Sequence, residues 1–188
     1  AELMARLREQ GLTTFAGTFP EFSAPADSYD MISMNNYLEH TLDPAAELEK
    51  SLELLRSGRH LVGEVPGFAS FDRMMFGRYW GGNHVPRHTF QFTPKILRTQ
   101  LLKAGFEDIR ITHELNTSHW ALSVQNFLQR AVPDLRNNPA IEHGRGRYYL
   151  PLVLLFIPVN LVSVLLRKSG CIKFYARKPR NKPPQGQC

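Results

Sequence analysis

A glutamate followed by a histidine, Glu39-His40, sits inside YDMISMNNYLEHTLDP (Tyr29 to Pro44), where a strand-like run gives way to a helix start. A carboxylate beside an imidazole can take up and pass on a proton, and histidine as a residue type titrates near physiological pH. The same two residues read equally well as an ordinary helix entry. Asn35 and Asn36 precede them at the polar end of the run. Their amides suit contacts to a bound ligand and suit a helix cap just as well. A second polar cluster is WGGNHVPRH, Trp80 to His88, which brings His84, Arg87 and His88 close to Trp80 in sequence. The seven histidines have no HExxH or CxxC companion, so no zinc motif is present. Cys171 and Cys188 lack metal-ligand spacing and form no disulfide framework, which points to a reducing, cytoplasmic setting.

The elements that must position these groups alternate between strand and helix. Leu3, Leu7 and Leu12 predict a short helix closed by Gly11. LTTFAGTF reads as a short strand ending at Gly17, and Tyr29 to Met34 as a strand covered on both faces, as in a parallel sheet. Asp43-Pro44 opens a helix with Leu48, Leu52 and Leu55 as its stripe and Gly58 as its end. Arg59 to Val65 is the next strand, a long aromatic loop follows, and Thr93-Pro94 starts a further helix that exits at Ala104-Gly105. Phe106 to Thr112 and Gly170 to Ala176 are the last strands, while Ser118 to Arg130 fits strand or helix. The fold class is α/β with parallel crossover units. Its parts are a core at 1–117, a helical insertion at 118–169, a closing strand at 170–178 and a basic tail at 179–188.

The 188 residues, 43% hydrophobic, suffice for one domain with its own core. The net charge of +6 is uneven: Arg167 to Lys182 holds seven Lys and Arg and no acid. Such an end favours an anionic partner, and its plainer reading is a solvated terminus that keeps the protein soluble. Tyr148 to Leu166 is uncharged over nineteen residues and flanked by Arg145, Arg147, Arg167 and Lys168. That length can cross a bilayer. Pro151, Pro158 and Asn160, and the strand that follows at once, favour a buried or interfacial helical hairpin over a span. Peripheral membrane contact through this stretch and the basic tail is therefore expected. No signal peptide is visible, and the chain opens on Ala rather than Met.

Taken in order, YDMISMNNYLEHTLDP, LELLRSGRHLVGEVPG and WGGNHVPRHTFQFTPKILRTQLLKAGFEDI resemble class I S-adenosylmethionine-dependent methyltransferases, in particular the ubiquinone-biosynthesis O-methyltransferase type. The resemblance covers about residues 1 to 112, and more loosely the closing strand ending in Ala-Arg-Lys-Pro. It implies a Rossmann-like sheet and the cofactor S-adenosylmethionine. Gly17, Thr18 and Phe19 would then lie beside the adenine, with Asn35 and Asn36 on the cofactor at the strand end. It also implies a small-molecule acceptor held by Trp80, His84, Arg87 and His88, and O-methylation assisted by His40 and Glu39. In the family a Glu-x-x-Glu-His pattern can bind a divalent metal; here Asn36 stands in place of the first carboxylate, so no metal is expected. The Leu-x-x-Gly-Gly turn carries Arg59 in place of its second glycine.

The glycine-rich cofactor loop and the acidic ribose-binding residue of the family find no counterpart here, so the sequence looks like the later part of such an enzyme. This chain alone is expected to be inactive. In the family, strands one and two lie between three and four, so Thr13 to Phe15 is expected to find no neighbour in the sheet. The proline-containing motif of base-methylating enzymes is absent after Asn35-Asn36, which argues against a nucleic-acid substrate. The competing reading is a non-catalytic methyltransferase-like module that binds a membrane surface or a protein partner.

Overall fold

The computed structural model describes residues 2–135, 138, 144 and 146–180. Four strands form one sheet in the order β1-β2-β4-β3, where β1 is Tyr29–Asn35, β2 Leu55–Pro66, β3 Glu107–His113 and β4 Cys171–Arg177. β1 and β2 are parallel, with Met31 opposite His60 and Asn35 opposite Glu64. β4 runs antiparallel to both its neighbours, β2 and β3. Among the described residues seven α-helices surround or extend the sheet: α1 Glu2–Glu9, α2 Pro44–Leu54, α3 Phe71–Phe76, α4 Pro94–Lys103, α5 Ser118–Ala131, α6 Tyr149–Leu155 and α7 Ile157–Leu165. The α/β class is as expected.

Local chemistry explains the helix starts. Asp43 caps α2 by accepting from the Ala45 and Ala46 amides, at 3.0 and 3.1 Å, with Pro44 in the first turn. Thr93 caps α4 through the Ile96 amide in the same way. Leu48, Leu97 and Leu101 are fully buried against β2 and β4, where Leu61, Val65, Ile172 and Phe174 complete the core.

Several expectations need correction. α2 ends at Leu54 rather than Gly58, because residues 55–58 already run with the sheet: Leu55 faces Tyr29, and the Gly58 amide donates to the Lys178 carbonyl. Thr13 to Phe15 forms no strand, while its lack of a sheet partner among the described residues is as expected. β1 is not covered on both faces: only Met34 is buried, and Met31 stands 62% exposed. Among the described residues no strand pairs with its outer edge. The 118–131 segment resolves as helix. Helices α6 and α7 meet end to end at Phe156, whose φ of −86° and ψ of 2° keep it near helical geometry, rather than turning back as a hairpin. Among the described residues no helix is long and apolar enough to cross a membrane. Lys182 and Cys188 fall outside the described residues.

β2 is the crowded strand. A Cβ on Gly63 would overlap the Met34 carbonyl oxygen and sit 2.6 Å from Cζ of Phe174. Gly63→Ala is expected to destabilise the fold by about 1–3 kcal/mol, through overpacking between two strands. A urea unfolding curve within a few tenths of wild type would contradict that packing.

Candidate active site

The C-terminal ends of β1 and β2 point to one corner of the sheet, and the chain turns there through a residue that favours the turn. Asn36 has φ of +48°, a conformation asparagine tolerates better than most residues. Its amide donates to the Glu64 carbonyl at 2.9 Å and its Nδ2 to Glu64 Oε1 at 3.0 Å. Asn36 is thus committed to the neighbouring strand rather than to a helix cap. Glu64 is a residue that sequence reading missed. The available signal was a carboxylate two residues before Pro66-Gly67, at a strand end facing the same corner.

A single turn of tight helix, Leu38–His40, follows. Tyr37 ties it to α2 by donating to Glu47 Oε2 at 3.1 Å, and Leu38 fills the core. Glu39 is left 1% exposed, and neither carboxylate oxygen has a hydrogen-bond partner. Its backbone carbonyl is crowded instead, accepting from the Thr89 amide, the Phe90 amide and Thr89 Oγ1 at 2.8, 3.2 and 3.1 Å. These bonds lay the 84–90 segment across the turn. Burial pushes the Glu39 pKa up to about 7; its own backbone amide, short of hydrogen-bond geometry, and a positive charge on His40 oppose this, while Glu64 adds to it.

Two histidines, His40 and His88, gather around that carboxylate, and His84 packs on the second of them. His40 Nε2 lies 3.9 Å from Glu39 Oε1, while its Nδ1 donates to the Arg87 carbonyl at 3.0 Å. His88 Nδ1 donates to the Gly82 carbonyl at 2.7 Å. Because a carbonyl only accepts, each ring donates from Nδ1, and in its neutral form keeps Nε2 as the lone-pair nitrogen. The His40 and His88 rings meet edge-on at 4.6 Å, and His84 and His88 at 5.2 Å. Burial drives the His88 pKa down to about 4, so that ring is neutral near pH 7. One donor atom each from Glu39, His40 and His88 lies within 4.8 Å of the others. Two imidazoles and one carboxylate can share a proton or hold a borderline cation such as zinc.

The other predicted residues are distributed as follows. Gly17 and Phe19, with Phe15, Phe22, Tyr29 and Tyr37, line a cleft of about 400 Å³ along the open side of β1. Thr18 caps the tight turn at Phe19–Glu21, where its amide donates to Glu21 Oε2 at 2.8 Å. Asn35 ends β1 and is exposed. Trp80 is 1% exposed, packed on Phe68 and His119, with its Nε1 donating to buried Asp72 at 2.8 Å. It anchors the 80–88 loop from within. Trp80 and His84 also border a hollow of about 430 Å³ against α5, with Arg78 and Asn126. Arg87 closes its loop through its backbone, with its amide donating to the His84 carbonyl at 2.9 Å and its carbonyl accepting from His40. Phe76 packs on Trp120 at 6.1 Å between ring centres.

A buried acid with a raised pKa binds its proton more tightly in the folded state than in the unfolded chain. Between its ordinary value of 4.5 and about 7, the stability contribution of Glu39 therefore falls as pH rises. Glu39→Gln is expected to remove that decline and to gain at most on the order of 3 kcal/mol over wild type once Glu39 is ionised. Urea midpoints at about pH 5 and about pH 8 check it, since parallel shifts of variant and wild type would contradict the buried charge.

A family model matches more than half of the chain, and the solved structures agree with it on the fold. The methyltransferase domain family matches residues 5–111. No curated protein matches the chain. Among solved structures, a SAM-dependent methyltransferase from Thermotoga maritima superposes with a TM-score of 0.59 at 14% identity, covering 94% of this chain and 69% of that one. One from Archaeoglobus fulgidus gives 0.56 at 18%, covering 95% and 73%. Phosphoethanolamine N-methyltransferase 2 of Haemonchus contortus, solved with S-adenosylhomocysteine, gives 0.55 at 12%, covering 95% of this chain and 40% of that one. At these identities the likeness is one of fold. The cleft along β1 fits one end of the family's cofactor: flat aromatic walls from Phe15, Phe19 and Phe22 suit an adenine ring. Its lining contains no charged side chain for a methionine carboxylate or ammonium. The chain belongs to the methyltransferase domain family, with the Rossmann-like fold of its S-adenosylmethionine-dependent members.

Proposed function

We propose that this protein transfers a methyl group from S-adenosylmethionine to the oxygen of a small-molecule acceptor, with His40 and Glu39 handling the acceptor's proton. The observation that carries the reading is the pairing of a buried, unpartnered carboxylate with a half-exposed imidazole whose free nitrogen faces it at 3.9 Å. S-adenosylmethionine, when bound, supplies an electrophilic methyl on a sulfonium. The protein's own part is to orient the acceptor and receive the hydroxyl proton at His40 Nε2. The imidazolium so formed lies beside the Glu39 carboxylate, whose negative charge stabilises it. Glu39 does this best once ionised, so the rate should rise with pH through about 7. His84, Arg87 and His88 form the polar rim of the acceptor site, with Trp80 holding the rim in place. Phe19 and Gly17 carry the adenine.

Residues 1–188 by themselves should hold the cofactor weakly, because the cleft offers ring contacts and no charged partner for its amino-acid end. Calorimetric titration with S-adenosylhomocysteine, on this chain and on the full reading frame that encodes it, tests this; equal tight binding by both would overturn it. Methyl transfer to a panel of hydroxylated acceptors, assayed on the full reading frame, tests the chemistry. His40→Ala is expected to lower kcat by about 10²–10⁴-fold. Glu39→Gln should also slow turnover and flatten the rise near pH 7. Activity should survive chelation; loss of activity with EDTA, restored by a divalent ion, would favour the second reading, a cation held by Glu39, His40 and His88. Transfer only to amines would rule out the oxygen acceptor.

A further inference from the structure

Helix α7 is turned the wrong way round for an element that faces water, and α6 before it is a run of apolar residues with none of them buried. Asn160 and Ser163 point into the protein and are fully buried. Leu150, Leu154, Leu155, Leu161, Val162 and Leu165 stand 64, 57, 66, 47, 51 and 81% exposed. A surface helix ordinarily does the reverse. The inversion gains nothing on the inside, since neither polar atom of the Asn160 side chain finds a hydrogen-bond partner among the described residues. Met74 and Met75 of α3, 69 and 68% exposed, border the same hollow as Val159 and Val162, so the apolar surface runs on past the helices. Single exposed leucines are common; a continuous stretch of this length marks a face that meets another apolar phase.

The charge around this face says which phase. Residues 143–188 hold nine Lys and Arg and no Asp or Glu, whereas residues 1–142 carry a net charge of −3. Three cations of β4 and just beyond it are paired within the fold: Lys173 with Glu114 at 3.7 Å, Arg177 with Glu107 at 3.0 Å, and Lys178 with Asp27 at 2.9 Å. Those at the two ends of the apolar rod are not. Arg147 precedes α6, and Arg167 and Lys168 follow α7, and none has an ion pair among the described residues. Arg147 lies over the Tyr148 ring at 4.9 Å, which places an aromatic and a cation together at the rod's entry. Outward hydrocarbon bracketed by uncompensated cations is the pattern of a helix lying in the plane of an anionic bilayer interface.

We propose that α6 and α7, continued by Met74 and Met75, are a docking face for an anionic membrane surface. The leucines enter the acyl boundary, while Arg147, Arg167 and Lys168 meet the lipid headgroups. This stands on its own observations and does not depend on the methyl-transfer reading. Flotation of the full chain with vesicles tests it. The chain should float with vesicles of phosphatidylglycerol mixed into phosphatidylcholine, float poorly with phosphatidylcholine alone, and release as salt rises. Leu154→Glu with Leu165→Glu should abolish flotation, and Arg167→Glu with Lys168→Glu should weaken it by at least about tenfold. All four positions lie at the surface end of the fold, and thermal unfolding will confirm that the variants remain folded. Failure of the wild-type chain to float with the anionic vesicles overturns the proposal, whether it sediments as a monomer or as a second copy paired through this face. Undiminished flotation of the leucine variant overturns it equally.

Discussion

The closing strand β4 is the constraint on which the rest of the molecule depends. It enters between β2 and β3, antiparallel to both, so the chain must leave the sheet after β2, return for β3, and leave again before coming back between them at Gly170. At that point the Gly67 amide donates to the Gly170 carbonyl at 2.8 Å. There is no room for side chains in the junction: a Cβ on Gly170 would overlap Asp72 Oδ2 and come within 3.0 Å of His119 Nδ1. Asp72 in turn receives the Trp80 indole, and His119 donates to the same Gly170 carbonyl at 2.7 Å. One junction therefore fixes α3, the 80–88 loop and α5 against the end of the sheet. Burial lowers the His119 pKa against the opposing charge of Asp72, so the junction is a packed polar knot rather than a titrating site.

The electrostatics of the corner follow from that anchoring. With Trp80 held inside, the rim that carries His84 and His88 falls across the turn at Glu39. What the rim offers there is backbone amides for the Glu39 carbonyl and lone-pair nitrogens for its side chain. No donor reaches the carboxylate itself. A carboxylate out of water and without donors raises its pKa until a proton, a cation or a protonated neighbour supplies the missing charge. The strain on Glu39 is thus a consequence of how the loop is tied down.

Much of this was legible in the sequence, and the losses have physical reasons. Helix starts at Pro44 and Pro94 were readable because capping is a local interaction among adjacent residues. The pairing of Glu39 with His40 was readable because the two are neighbours in the chain. His88 joining them was not, since that approach is set by the junction at Gly170. Trp80 read as a pocket wall because an aromatic in a polar loop carries no mark of the buried aspartate it binds. The end of α2 was misplaced because Gly58 resembles a helix terminator, whereas its φ of +76° serves an irregularity inside the strand. Tyr29 to Met34 read as doubly covered because apolar residues alone do not reveal which neighbours a strand has.

Two faces remain uncovered, and they differ in what would satisfy them. The outer edge of β1 presents backbone amides and carbonyls beside exposed Met31, so only a partner that hydrogen-bonds in register would complete it. The outward side of α6 and α7 has already satisfied its backbone within the helices and presents hydrocarbon alone. A fluid, non-directional phase suits the second face and cannot serve the first. Exposure by itself would rank the two together. The state of the backbone separates them, and so assigns the aromatic cleft along β1 to ordered recognition and the leucine-rich rod to a surface that need not be ordered at all.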